Sequence, residues 1–214
     1  MKVGKRRIGE WKLVKKNMNL AKKISFLIKR PLLIIVSDGS EKIAFRVLSF
    51  LRETKRAGRA KFFSVLKDEI LIIDFDLEQD FDFLIKNSKK TILVVNEVAA
   101  KIKIIELTRK LRERDVLVFN FDEEETREIQ SMNKGKSLSV GFLRTPDLSI
   151  SDFNVNQGET NFKIDFQGNI VPIWLKGEWT KKKVTVLSLI IICAFEFGLN
   201  LVEISQQLKK FSLE

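Results

Sequence analysis

The chain has 214 residues, 44% of them hydrophobic, and carries 39 Lys and Arg against 28 Asp and Glu for a formal charge of +11. It holds no histidine and one cysteine. That excludes Ser-His and Cys-His catalysis and a disulfide framework, and it argues against a zinc site. Length and apolar content suit one domain with a real core, or one domain with a small appendage.

The charge is unevenly placed. Residues 1–30 contain eleven Lys and Arg and one acid, Glu10, a net +10, while the rest of the chain is near neutral. The basicity therefore belongs to an N-terminal arm, residues 1–30, preceding a globular body, residues 31–214. Apolar residues from Ile8 to Ile28 interleave with the lysines, so the arm is expected to be partly helical. Lys5, Arg6, Arg7, Lys15, Lys16, Lys22 and Lys23 could serve an anionic membrane surface or nucleic acid. The plainer alternative is a helix packed on the body with a solvated basic face. Aromatic interleaving is sparse, with Trp11 and Phe26 only, and no RNA-binding motif is present. No apolar signal region opens the chain, so a reducing cytoplasm is the expected compartment, with a peripheral place at the inner membrane face.

After Pro31, Leu32–Val36 is an apolar run of the kind buried on both faces of a parallel strand. Ser37-Asp38-Gly39-Ser40 is turn chemistry, and from Glu41 apolar residues recur at Ile43, Ala44, Val47, Leu48 and Leu51 as on a helix packed on a sheet. Strand, polar turn and helix is the layout of a phosphate-binding loop. Such a loop needs glycines, a Lys on the phosphate and a Ser or Thr hydroxyl on magnesium. Lys42 stands at the Lys place, but Ile43 and Ala44 follow it and Glu41 stands where a glycine is expected. The competing reading is a helix cap, with Asp38 as N-cap and Glu41 reaching back to it.

A helix over residues 41–55 is followed by expected strands at Ala60–Val65 and Glu69–Phe75. The second ends in Asp74 and Asp76, where a metal-binding acid or a helix-capping acid would sit. Asp80–Asn87 reads as a short helix, Thr91–Asn96 as a strand, Val98–Glu113 as an amphipathic helix and Val116–Asn120 as a strand. An acidic turn after Phe121 leads into another helix, and Leu138–Phe142 closes the series. This alternation predicts a parallel sheet covered by helices, with ligands outside the carboxyl ends of its strands. Asp38, Lys42, Asp74, Asn96 and Asn120 all fall at that edge. Leu148–Val155, Asn161–Phe166 and Ile170–Leu175 then alternate apolar and polar residues around Gln157-Gly158 and Gln167-Gly168, an antiparallel meander. Helices over Lys183–Phe197 and Leu201–Phe211 finish the chain. The first is a buried core helix or, less in keeping with Thr185, Ser188, Glu196 and Gly198, a membrane span. Cys193 inside it reads as a buried thiol.

The order of these parts resembles the central, ATP-binding domain of the Mur ligases, which add amino acids to the peptide of peptidoglycan precursors. The resemblance covers roughly residues 30–211. It is carried by VSDGSEKIAFRVL, EILIIDFD, TILVVNEVA and DVLVFNFDEEE, and by the tail TNFKIDFQGNIVPIWLKG with FGLNLVEISQQLKKF. It implies an α/β fold: a mostly parallel, P-loop-like sheet flanked by helices, with a small antiparallel three-stranded sheet. It places vestigial nucleotide contacts at Ser40, Lys42, Asn120 and Asp122 and a metal ligand at Asp74, with ATP and magnesium as the cofactors of a working site. The departures matter as much. The magnesium hydroxyl is missing and the lysine that the family carboxylates falls near Ile104. The family's Gly-x-His-Asn motif reads Gly177-Glu178-Trp179-Thr180, and the substrate and C-terminal domains have no counterpart. Three functions are therefore in play. One is a degenerate, non-catalytic domain acting as a scaffold or regulatory partner near peptidoglycan synthesis. The others are a nucleotide-binding subunit working with a partner chain, and a module that binds nucleic acid or anionic membrane through its basic arm.

Overall fold

The computed structural model describes residues 12–14, 20–37, 40–57, 70–75, 80–98 and 101–212. Lys5, Arg6, Arg7, Lys15, Lys16, Asp38, Asp76 and the expected strand at Ala60–Val65 lie outside the described residues, as does the side chain of Lys22.

The chain runs β1 (Lys12–Val14), α1 (Leu20–Lys29), β2 (Leu32–Val36), α2 (Glu41–Ala57), β3 (Ile70–Asp74), α3 (Phe81–Asn87), β4 (Lys90–Val95), α4 (Lys101–Lys110), β5 (Val116–Asn120) and α5 (Glu124–Gln130). It continues with β6 (Lys136–Gly141), β7 (Leu148–Asn156), β8 (Glu159–Phe166), β9 (Asn169–Lys176), α6 (Lys181–Glu196) and α7 (Leu201–Leu208). The strands form one sheet in the order β1-β3-β2-β4-β5-β6-β7-β8-β9. Pairing is parallel from β1 to β7 and antiparallel across β7, β8 and β9.

The apolar runs place β2 to β5 in the middle of this sheet. Every residue of β2 is buried, and alternate side chains enter different cores. Leu32, Ile34 and Val36 join the core under α2, α6 and α7, whereas Leu33 and Ile35 join the one under α3, α4 and α5. The second core also takes Phe26 from α1. Among the described residues of the N-terminal 30, both elements are thus fastened to the body: β1 pairs with β3, and α1 is anchored by Phe26.

The antiparallel meander is present as expected, and it extends the parallel sheet. The junction is a short overlap. β6 and β7 are parallel and joined by a six-residue connection, too short for an ordinary crossover. Only Val140↔Leu148 and Gly141↔Ser149 pair, so the chain needs to double back by just a few residues. Asp147 holds the return in place by accepting the Ser139 N–H and hydroxyl at 2.8 and 2.6 Å. Both hairpins turn through left-handed pairs, Gln157-Gly158 (φ 47° and 79°) and Gln167-Gly168 (φ 54° and 77°). Those are type I′ turns, whose twist matches the strands they join. Helices cover one face of the meander, so Val171, Ile173 and Leu175 are buried while Ile170 and Trp174 stand exposed.

The apolar tail helix is α6, buried from Val184 to Ala194. No helix among the described residues is long and apolar enough to cross a membrane. Helix ends depart from the periodicity in both directions: α2 runs on to Ala57 and α6 begins at Lys181, two residues beyond the expected limit in each case. The helix expected to reach Phe211 stops at Leu208, because Lys210 and Phe211 tighten into turn bonds onto Gln207 and Leu208 carbonyls.

Candidate functional site

The strand order decides where a ligand crevice would lie. From β2 the chain passes to β3 on one side, and from β4 it passes to β5 on the other. The gap outside the carboxyl ends of β2 and β4 is the switch point where open α/β sheets bind ligands. The turn after β2 and Asn96, just past β4, flank it, with Asp74 and Asn120 at the ends of the adjoining strands.

Serine 37 bridges this gap. Its N–H donates to the Val94 carbonyl at 3.0 Å. Its hydroxyl accepts the Asn96 N–H at 3.3 Å and donates to the Glu97 carbonyl at 3.4 Å. Asn96 in turn accepts from the Asn120 amide at 3.3 Å, and the Asn120 oxygen accepts the Asp122 N–H at 3.1 Å. The three strand ends are thus joined by their own polar groups.

The helix side is governed by Glu41. This residue opens α2 and is only 7% exposed. Its own N–H donates to its carboxylate, and the Asp74 carboxylate stands beside it. Its Oε2 is buried without a hydrogen-bond partner. Burial raises the Glu41 pKa above the ordinary 4.5, and the proximity of Asp74 adds to the shift. Ser40 is buried next to it and Lys42 is exposed. A triphosphate needs N–H groups and positive charge at this helix start. Here the helix start faces a buried carboxylate with a second carboxylate at its side. Both carboxylates act against the negative charge of a triphosphate at this place.

The remaining positions singled out in the sequence, and their neighbours, make structural contacts. Asp122 accepts the N–H groups of Phe142 (2.8 Å) and Leu143 (3.3 Å), fixing the chain where it leaves β6. A Cβ on Gly141 would lie 2.5 Å from the Asp122 Oδ1, so that glycine allows the contact. Thr126 donates its hydroxyl to the carbonyls of Asn120 and Glu123. Ile104 is buried, and the neighbouring Lys103 donates to the Phe75 carbonyl at 2.9 Å with its ammonium 4.5 Å from the Phe75 ring centre. At Gly177-Glu178-Trp179-Thr180, Trp179 is buried and Thr180 caps α6 by accepting the Lys183 N–H. Lys23 reaches Asp80 at 3.2 Å and lies 5.0 Å from the centre of the Phe83 ring. Among the described residues no three His, Cys, Asp or Glu side chains are grouped to hold a metal.

Two structural features were not legible in sequence. Ser37 looked like one turn residue among four. The Arg112–Asp115 pair, on the connection after α4, gave no motif. Asp115 is fully buried and receives Arg112 Nε at 2.7 Å and Nη2 at 2.9 Å, along with the N–H groups of Thr91 and Arg112. Arg112 also reaches the Lys86 and Ser88 carbonyls.

No family model matches the chain. No curated protein matches it either. Solved structures do. The MurF ligase of Thermotoga maritima in complex with ADP aligns over 86% of this chain and 49% of its own, at 14% identity and a TM-score of 0.62. MurF from Acinetobacter baumannii aligns over 90% and 48%, at 13% identity and a TM-score of 0.65. A UDP-N-acetylmuramate:L-alanyl-gamma-D-glutamyl-meso-diaminopimelate ligase from Neisseria meningitides aligns over 89% and 68%, at 10% identity and a TM-score of 0.63. This chain spans about half the length of the two MurF ligases. At such identities the likeness shows the fold: this is the Mur ligase-like α/β architecture that the sequence resemblance implied.

Proposed function

We propose that this chain is a degenerate Mur ligase-like domain that performs no ligation itself and serves as a scaffold or regulatory partner of another protein in peptidoglycan synthesis. Glu41 is the observation that carries this reading. A ligase of this kind must hold ATP phosphates while an acyl-phosphate forms, and most of its catalysis is positioning and charge neutralisation. The start of α2 carries a buried carboxylate at that place, with Asp74 adding to the negative field. The Ser37 bridge across the switch point supports the same reading, since it engages groups that a ligand would use.

Calorimetric titration of Mg-ATP into wild type and Lys42→Ala tests it. The expected result is no binding and no ATP turnover in either. Turnover abolished by Lys42→Ala would overturn the proposal. Binding without turnover, lost in Lys42→Ala, would instead support a nucleotide-binding subunit that works with a partner chain.

A second reading concerns the arm and is compatible with the first. The net +10 of residues 1–30 favours attachment to an anionic surface, at the cytoplasmic face of the inner membrane. It predicts a salt-sensitive interaction that deletion of residues 1–30 abolishes.

A further inference from the structure

Helix α1 is amphipathic the wrong way round for a helix of a free-standing domain. At 100° per residue, Leu20, Ile24, Leu27 and Ile28 fall within an arc of about 100°, the width of an ordinary core-facing stripe. In the structure this stripe faces solvent: Leu20 is 75% exposed, Ile24 49%, Leu27 45% and Ile28 78%. The side that meets the body carries Phe26, buried against Phe83 with ring centres 5.8 Å apart, and Lys23, paired with Asp80. One aromatic anchor thus holds the helix with its apolar stripe turned outward. Single exposed aliphatic residues are ordinary, but four on one contiguous helical face mark an interaction surface.

We propose that this face of α1 inserts into an anionic lipid surface, with the basic residues around it on the headgroups. The inference rests on the second reading above, that residues 1–30 serve an anionic surface, and adds the part of the helix that enters the membrane. Charge complementarity selects the occupant. The stripe lies in a segment with eleven cations and one acid, and Lys29 and Arg30 follow at exposed positions. On the same wheel Lys29 falls opposite the stripe, and an apolar face backed by a basic one is the pattern of helices that lie in the bilayer interface. Nucleic acid would use the cations but has no use for the stripe, since aliphatic side chains offer bases no ring to stack on.

Flotation of the full chain with vesicles tests this, comparing phosphatidylcholine alone with phosphatidylcholine containing phosphatidylglycerol. The decisive variant is Leu20→Ser/Ile24→Ser/Ile28→Ser, which keeps every charge and alters only exposed positions. Wild type should bind the anionic vesicles and not the neutral ones. The variant should bind at least about tenfold more weakly with an unchanged melting temperature. Equal binding by the variant would overturn the inserted face while leaving the charge-driven reading intact. No binding by wild type would overturn both. Two further outcomes would each overturn the lipid assignment. One is a DNA or RNA oligomer bound more tightly than the vesicles, with the variant unaffected. The other is a wild-type dimer that the variant dissociates.

Discussion

Glutamate 41 is where a residue-scale argument is sharpest. A buried carboxyl with one oxygen unpartnered carries an added penalty when it is charged, beyond the cost of the neutral group. Because the fold raises its pKa above 4.5, the penalty is absent below that pH, grows as pH rises through the folded value and is complete above it. Glu41→Gln removes the charge and offers Asp74 an amide donor. It should raise stability at pH 7 by ~1 kcal/mol, about 2–4 °C in a chain of this size. The difference should vanish below about pH 4.5. Thermal melts across pH check this, and a variant less stable than wild type at neutral pH would count against the carboxylate being strained. Asp115 is the opposite case, a buried charge fully paired. Asp115→Ala strands the Arg112 guanidinium and two N–H donors, so a loss of about 3–5 kcal/mol is expected in denaturant titration. Arg112→Lys should recover little of the wild-type geometry, because an ammonium cannot span both carboxylate oxygens and the Lys86 and Ser88 carbonyls at once.

At the scale of elements, the apolar helix α6 is tied to the sheet by one carboxylate. Glu196, near the end of α6, receives Lys90 at 2.8 Å from the start of β4 and Lys136 at 2.7 Å from the start of β6. Burial works against its charge, but the hydrogen bonds and the positive charges of the two lysines together outweigh burial and hold its pKa below 4.5. A lowered pKa stabilises the fold above 4.5, and the contribution is lost as pH falls through the folded value. Glu196→Gln should therefore cost about 1–3 kcal/mol at pH 7. It should also show a shallower loss of stability than wild type as the solution is acidified below about pH 5. Parallel slopes in the two acid melts would remove Glu196 from the account of acid stability. The element-level reading of the sequence succeeded where periodicity was strong, as in β2 with its five buried residues and in the hairpins at Gln157-Gly158 and Gln167-Gly168. Helix ends were less legible. Where a helix stops depends on which carbonyls find a partner, as at Leu208, and spacing alone does not encode that.

For the molecule as a whole, Cys193 reports on cooperativity. It lies fully buried in α6, and burial pushes its thiol pKa well above the usual range. A thiol reagent should label it only through global opening, so the labelling rate should follow unfolding measured by circular dichroism. Rapid labelling under native conditions would mean that α6 opens separately from the sheet. The sequence by itself determined the layers: apolar runs, helical stripes and turn glycines are local signals, and each acts over a few residues. It also showed that the phosphate-loop place lacks its usual residues, since missing types can be read directly. Only the tertiary structure decided what those residues do instead. Ser37, Asn96 and Asn120 come from separate strands, and Asp74 meets Glu41 only after the sheet has formed. The outward turn of the α1 stripe was likewise beyond sequence reading. Periodicity shows that a helix has an apolar face, whereas the direction of that face is set by which single side chain, here Phe26, finds room in the core.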